Sequence, residues 1–315
     1  MELVQYERET HGTLAFDLWQ RTVGQQYLLT LEDFLESVNK RASYEDGDGI
    51  VAVESGQVIG FGMVEADYKN PQWYGWGGIM ALLVDPAYRR KHIGSAILER
   101  LERRMRQVGC REMHLGETLH SFWPGPPEDL PAAKPFFAKH GYDFAAAMLT
   151  DLVIELEGYP MTPVAHQALD GIDAEVLRVT ADTFETVCQF EQREFPYWYD
   201  GMLQTGAEKE GHTILVVWRQ GEVIGTVFTT HPTSHQRKIG PHIGTLNGVG
   251  VAEAWRGRGV GAAMCQSAAL YVKQCGAQRL VIEGVQPEVI GFYQRIGAKT
   301  WRKYHRGEKY VRHKD

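Results

Sequence analysis

The chain has 315 residues, 43% of them hydrophobic and 23% charged, and a formal net charge of −7. That length exceeds what one core usually fills and predicts two domains of about 150 residues each, both folded around apolar interiors. The acidic balance excludes a general attraction to nucleic acid or to an anionic membrane, so any anion must be held locally.

The N-terminal stretch MELVQYERETHGTLAFDLWQ mixes charge into every turn and lacks the apolar core of a signal peptide. Four cysteines, Cys110, Cys188, Cys265 and Cys275, make no CxxC pair and are too sparse for a disulfide framework. The expectation is a soluble cytoplasmic protein without membrane spans.

Read in chain order, the sequence repeats itself. After an N-terminal helical segment, IVAVESGQVIGFGMV predicts a hairpin around Gly56, and ILVVWRQGEVIGTVF repeats it around Gly221, 165 residues later. IMALLVDPAYRRKHIGSAIL (79–98) then matches LNGVGVAEAWRGRGVGAAMC (246–265) at an offset of 167. Helical spacing follows in each copy, with Ile93, Ile97, Leu101, Met105 and Val108 in the first and Val260, Met264, Tyr271 and Cys275 in the second. Gly109 and Gly276 stand where those helices should stop. Short strands follow at 112–115 and 279–282.

The last shared element is Phe136-Phe137 before Gly141 and Phe292-Tyr293 before Gly297, now 156 residues apart. The 11 extra residues of the first copy fall in SFWPGPPEDLPAAK, read as a long Pro-rich loop. A further strand closes each copy. The fold class is α/β, with a mixed sheet in each of two tandem copies. The expected division is 1–157, a linker over 158–174 where GYPMTPVAHQALDG brings Pro and Gly together, and 175–315.

The sharpest chemical feature is the strand 246–251 followed by Arg256-Gly257-Arg258-Gly259-Val260-Gly261 and a helix. Free N–H groups at a helix start bind anions, and glycines let the ligand approach the main chain. Arg256-x-x-Gly259-x-Gly261 after a strand, with Phe292-Tyr293 and Gly297 further on, resembles the GNAT superfamily of acyl-CoA N-acyltransferases. The resemblance spans nearly the whole chain as two tandem GNAT-like domains. It implies acetyl-CoA or another acyl-CoA as cosubstrate, with pyrophosphate on residues 256–261 and the pantetheine arm beside Val249 and Val251. Tyr293 matches the acid that protonates the leaving thiolate. Glu283, at the end of RLVIE, is the candidate base for the incoming amine.

In the first copy Leu82, Val84, Arg89, Arg90 and Gly94 hold the matching cofactor positions. There His92 replaces the first loop glycine, which is tolerable if its φ is negative, and Phe137 and Gly116 stand where the second copy has Tyr293 and Glu283. The first copy therefore reads as a degenerate, structural or regulatory half, and the second as catalytic. The implied reaction moves an acetyl or other short acyl group to a primary amine of a small molecule or peptide, in a monomer or homodimer, with no metal, nucleic acid or membrane. No motif selects the acceptor.

Other readings compete. A non-catalytic acyl-CoA-binding or interaction protein is the alternative function. Gly257-x-Gly259-x-x-Ala262 with Glu283 downstream also fits a dinucleotide fingerprint, although the strand ends too early and the first copy lacks Gly-x-Gly. Tyr293 is alternatively a core aromatic, and Glu283 a solvated strand end. His231, His235 and His242 invite a metal reading, which the prolines of that stretch oppose. Phe195-Pro-Tyr-Trp-Tyr199, after Glu191 and Glu194, either walls a pocket for a cationic amine or packs the two copies together. Trp73, Tyr74 and Trp76 pack similarly in the first copy.

Overall fold

The computed structural model describes residues 1–39, 48–66, 75–118, 121–196, 211–231 and 242–311. In the first repeat, strand β1 (Glu2–Gln5) leads into helices α1 (Arg8–Thr22) and α2 (Leu31–Asn39). The predicted hairpin follows as β2 (Gly49–Glu54) and β3 (Gln57–Glu65). It turns on Ser55 and Gly56, both at positive φ (50° and 76°), the conformation that matches strand twist in a two-residue loop. Then come β4 (Trp76–Val84), α3 (Ile93–Gln107), β5 (Glu112–Leu115) and α4 (Ala133–Lys139). Strands β1 to β4 are antiparallel neighbours, and β4 and β5 pair in parallel. Such a pairing needs a crossover, which α3 supplies.

Helix α3 buries Ile93, Ile97, Leu101 and Met105 on one sheet face, and Gly109 follows it at φ 89°, as the spacing predicts. The sheet makes room with glycines: a Cβ on Gly62 would lie 2.5 Å from Ile97. Helices α1 and α2 cover the opposite face around Leu18, Trp19, Phe34 and Phe61.

The first repeat closes with β6 (Leu149–Glu155), and the second runs through α5 (Pro163–Asp170), β7 (Ala174–Arg178), α6 (Ala181–Glu194), β8 (His212–Arg219), β9 (Glu222–Thr230) and β10 (Ile243–Val251). It continues through α7 (Val260–Gln274), β11 (Arg279–Val285), α8 (Pro287–Gln294), β12 (Lys299–Tyr304) and β13 (Glu308–Tyr310). Helix α7 packs Val260, Ala263, Met264, Ala268 and Val272 on one face of the seven-stranded sheet β12-β6-β11-β10-β9-β8-β7. Helix α6 covers the other face with Val187, Cys188 and Phe190.

Two compact units result, one holding Met1–Leu149 and Arg302–Asp315, the other Thr150–Gln236 and Pro241–Trp301. This division differs from the one expected at residues 157 and 175. Strand β6, which ends the first repeat, is the antiparallel neighbour of β11, and β13, which ends the second, is that of β5. Side chains pin β13 in the first unit. Lys309 Nζ reaches both oxygens of Glu102 on α3 at 2.8 Å, and Arg306 donates to Glu117 at 2.6 and 3.0 Å.

The stretch expected as linker contains α5 instead. Pro163 sits in the first turn, where its missing N–H has no helical partner to lose, and the Thr162 hydroxyl accepts from Ala165 N–H. Ala165 and Leu169 then bury the helix against α7.

Candidate active site

Strand β10 carries the site. Its parallel pairing with β11 stops at Leu246↔Ile282, yet β10 runs on to Val251, so its second half has an open edge on that side. The ladder to β9 breaks at the same level, with Asn247 opposite Phe228 and Gly250 opposite Thr226. Two residues of β10, Gly248 and Val249, thus oppose one of β9, a bulge that re-aims the backbone. Val249 and Val251 pack with the α7 core. Gly250 faces α6, where a Cβ would lie 2.4 Å from the ring of Phe195.

The loop that follows carries two glycines at positive φ. Gly257 (φ 74°) and Gly259 (φ 84°) take left-handed conformations that glycine adopts without strain. Arg256 Nε donates to Val251 O at 2.9 Å, and the Arg258 guanidinium lies 5.0 Å from the Trp255 ring centroid. Both cations are therefore held beside the loop. Ala263 N–H is the first to bond back, to Gly259 O, which leaves the N–H groups of Val260, Gly261 and Ala262 at the helix start pointing outward. A Cβ on Gly261 would stand 3.4 Å from Phe292, and one on Gly259 would stand 2.9 Å from Ala168 of α5. The glycines thus serve packing as well as anion approach.

Tyr293 of α8 is 9% exposed, packs edge-on against Phe292 with centroids 4.9 Å apart, and shares a packed cluster with Val249, Val251 and Val260. Burial, and then the neighbouring Cys265, push its hydroxyl well above the usual phenol range, so it remains a protonated donor. Leu280, Ile282 and Val285 of β11 join the α7 core, and Glu283, half-buried, lies where the ladder to β6 is irregular between Ile282 and Val285. The structure thus brings Val249, Val251, Val260 and Tyr293 into one packed cluster that does not include Glu283.

One of the two carboxylates named before the aromatic run 195–199 is buried. Glu191 is the last buried residue of α6 and is fully shielded. Its Oε1 accepts a short hydrogen bond from the Thr226 hydroxyl, and its Oε2 has no hydrogen-bond partner among the described residues. Burial raises its pKa to about 7, against the lowering effect of the Thr226 bond. The sequence pointed to it only through its place before the aromatic run 195–199, not through its burial.

The first unit keeps the loop and loses the space. Arg89 Nε donates to Val84 O at 3.0 Å, as Arg256 does to Val251, and a Cβ on Gly94 would stand 3.4 Å from Phe136, as one on Gly261 does from Phe292. His92 is not at the negative φ that would make a side chain comfortable there. It takes φ 63°, and Arg90 takes 66°, reproducing the backbone of Gly259 and Gly257. Both side chains are exposed, so the strain meets no steric conflict beyond the residue itself. On the α1 side, Phe122 and Trp123 from the Pro-rich insertion are buried, with Trp123 stacked on Trp19 at 5.0 Å and Phe122 on Phe34 at 5.5 Å. The segment expected as a plain loop is core at that point, because its aromatics have an apolar cavity to fill.

Among the described residues no group of three His, Cys, Asp or Glu could hold a metal, and no helix is long and apolar enough to cross a membrane. His231 Nε2 hydrogen-bonds the Thr213 hydroxyl at 2.8 Å. His235, Tyr197, Trp198, Tyr199, Trp73 and Tyr74 lie outside the described residues. Trp76 packs on His114 with ring centroids 4.6 Å apart.

The sequence matches the Acetyltransferase (GNAT) family over residues 14–142 and again over 177–298. The chain belongs to the GNAT acetyltransferase family. A mycothiol acetyltransferase of Amycolatopsis mediterranei is 26% identical over 274 residues, covering 81% of this chain and 81% of the relative. Among solved structures, a GCN5-related glucosamine N-acetyltransferase region of a fungal multi-domain GH3 β-N-acetylglucosaminidase superposes with a TM-score of 0.85 at 23% identity over 98% of the chain. The match spans 38% of that longer protein. A tandem GNAT protein from the clavulanic acid biosynthesis pathway gives a TM-score of 0.71 at 15% identity, covering 100% of this chain and 99% of the other. Both GNAT copies are thus present in one N-acetyltransferase chain with a mixed sheet in each.

Proposed function

We propose that the second unit catalyses the transfer, taking the acetyl group from acetyl-CoA and passing it to a primary amine. The observation that carries this reading is the continuity along β10, from an anion cradle at residues 256–261 to an open strand edge and a bulge beside a protonated Tyr293. In this reading the N–H groups of Val260, Gly261 and Ala262 hold the pyrophosphate, and Arg256 and Arg258 add positive charge. Pantetheine lies along Val249 and Val251. A bulge N–H stabilises the oxyanion as the amine nitrogen bonds to the carbonyl carbon and the C–S bond breaks, and Tyr293 protonates the departing thiolate.

The amine approaches from the α6 side, and Glu283 is the candidate base that accepts its proton. Its carrier is a small molecule or a peptide, and the named relatives favour a small molecule. The first unit binds CoA through Leu82, Val84, Arg89, Arg90 and Gly94 without transferring anything, because Phe137 cannot donate a proton and aromatic rings fill its amine side.

Calorimetric titration of acetyl-CoA and turnover with glucosamine, on the intact protein and on Gly259→Asp and Gly94→Asp, test the assignment. Gly259→Asp places a carboxylate in the cradle and is expected to abolish turnover, while Gly94→Asp leaves it unchanged. Turnover that survives Gly259→Asp, or vanishes with Gly94→Asp, sinks the placement.

A further inference from the structure

Beside the loop of the second unit stands a group of cations that the reading above uses only in part. Trp255 closes the short turn between β10 and the loop, and two guanidiniums lie over its ring. That of Arg258 is 5.0 Å from the ring centroid and that of Arg219 is 4.8 Å from it. Arg219 is the last residue of β8, so a second element of the fold brings it to the loop. It is anchored there, because its Nε donates to Ile172 O at 2.8 Å, in the segment between α5 and β7. With Arg256, which follows Trp255 in the chain, three positive charges are gathered at one edge of the unit.

Nothing in the protein neutralises them. Among the described residues no carboxylate forms an ion pair with Arg219, Arg256 or Arg258, not even Glu222, the cross-strand partner of Arg219, or Glu253, two residues before Trp255. Arg219 and Arg256 each spend Nε on a backbone carbonyl, and the terminal amino groups of all three have no acceptor among the described residues. The indole face attracts the two guanidiniums over it and so offsets part of their mutual repulsion, but it offers their N–H groups no oxygen. Arg219 and Trp255 are half-buried and Arg258 is exposed, so the forks are held in place yet open to solvent. Planar forks of this kind suit a compact dianion.

The first unit shows that the loop does not need this arrangement. There Tyr88 stands for Trp255 and Lys91, 4.8 Å from its ring centroid, stands for Arg258. Arg219 is replaced by Glu54, which meets the N-terminal ammonium at 3.6 Å. The two loops still share their left-handed backbone, so the added arginine serves something other than loop conformation.

We propose that Arg219, Trp255 and Arg258 form a subsite for a phosphate monoester on the nucleotide end of the cosubstrate, by which the second unit selects an acyl carrier with a 3′-phosphorylated adenosine over one without that phosphate. This rests on the transfer reading above, which lays the pyrophosphate on the N–H groups of Val260, Gly261 and Ala262. A phosphate one ribose away from them falls within reach of Arg258, two residues before Val260, and of Arg219 beyond it. At neutral pH such a monoester carries close to two negative charges, and each arginine can give it a forked pair of hydrogen bonds. Trp255 holds the two forks together. In the first unit Glu54 would repel the same group.

The test measures turnover of glucosamine with acetyl-CoA and with 3′-dephospho-acetyl-CoA in wild type, Arg219→Met and Arg219→Lys. Wild type is expected to favour acetyl-CoA about 10- to 100-fold in kcat/KM, the effect of hydrogen bonds to a charged group. Arg219→Met is expected to lose most of that preference through a raised KM for acetyl-CoA, and Arg219→Lys, which keeps the charge without the fork, to retain an intermediate preference. A wild type that treats the two cosubstrates alike overturns the proposal. Equal losses with both in Arg219→Met overturn it too, because the bond to Ile172 O would then be the residue's whole role.

Calorimetry separates the subsite from the transfer reading. CoA and 3′-dephospho-CoA are titrated into Gly94→Asp, which disables the loop of the first unit, with and without Arg219→Met. A preference for CoA that the arginine substitution removes, in a protein that acetylates no amine, indicts the transfer reading and upholds the subsite. Turnover without any such preference sinks the subsite and leaves the transfer reading standing.

Discussion

The two units share a frame and differ in what fills it. In each, a bulged strand leads through a short turn into a loop with two left-handed residues, and an arginine ties the loop to the strand it left, Arg89 to Val84 and Arg256 to Val251. On the opposite sheet face the likeness ends. The first unit packs Trp19, Phe34, Phe61, Phe122 and Trp123 into one aromatic cluster, while the second has a buried Glu–Thr pair beside a glycine. The difference teaches that the loop is preserved at little cost, because it is made of backbone, whereas the opposite sheet face is made of side chains and is readily repacked.

The most severe way to break this comparison is to empty the first unit. Trp123→Ala removes the ring stacked on Trp19 and should destabilise that unit by about 3–5 kcal/mol, read by urea denaturation. Turnover by the protein that remains folded is expected to hold. If turnover falls in step with lost stability, the aromatic cluster serves catalysis too.

Lys309→Met probes the strand that the second repeat lends to the first sheet. The Lys309–Glu102 pair, with side chains 26% and 9% exposed, lies between a surface pair, which contributes under 1 kcal/mol, and a fully buried one, whose disruption costs about 3–5 kcal/mol. A loss of about 2 kcal/mol is expected, with faster hydrogen exchange in β5 and β13. An unchanged exchange pattern would mean that the backbone ladder alone holds β13.

Much of this architecture was legible because it is local. The hairpin turns, the stops at Gly109 and Gly276, the glycine loop and the 167-residue repeat are all written in short windows. The exchange of final strands was not, because which sheet β6 or β13 joins is set by pairing with distant β11 or β5, which no local window reports. Helix α5 was hidden by reading Pro163 as a breaker when, after Thr162, it is a starter. Phe122 and Trp123 looked like loop residues among prolines, and Glu191 was read only as a carboxylate beside the aromatic run 195–199. In both cases burial was decided by distant strands, and helical or loop spacing cannot report that.

The smallest expected effect concerns the loop itself. His92 occupies the left-handed conformation that Gly259 holds in the second unit, at a cost of roughly 1–2 kcal/mol for a residue with a Cβ. His92→Gly relieves that strain but gives the unfolded chain more freedom, which offsets about 0.5–1 kcal/mol. The imidazole is exposed, so little packing is lost. The net prediction is a stabilisation of under about 1 kcal/mol, a rise of a few degrees at most in the melting of the first unit. A destabilised variant would show that the His92 side chain contributes an interaction of its own, and the equivalence of the two loops would then stop at the backbone.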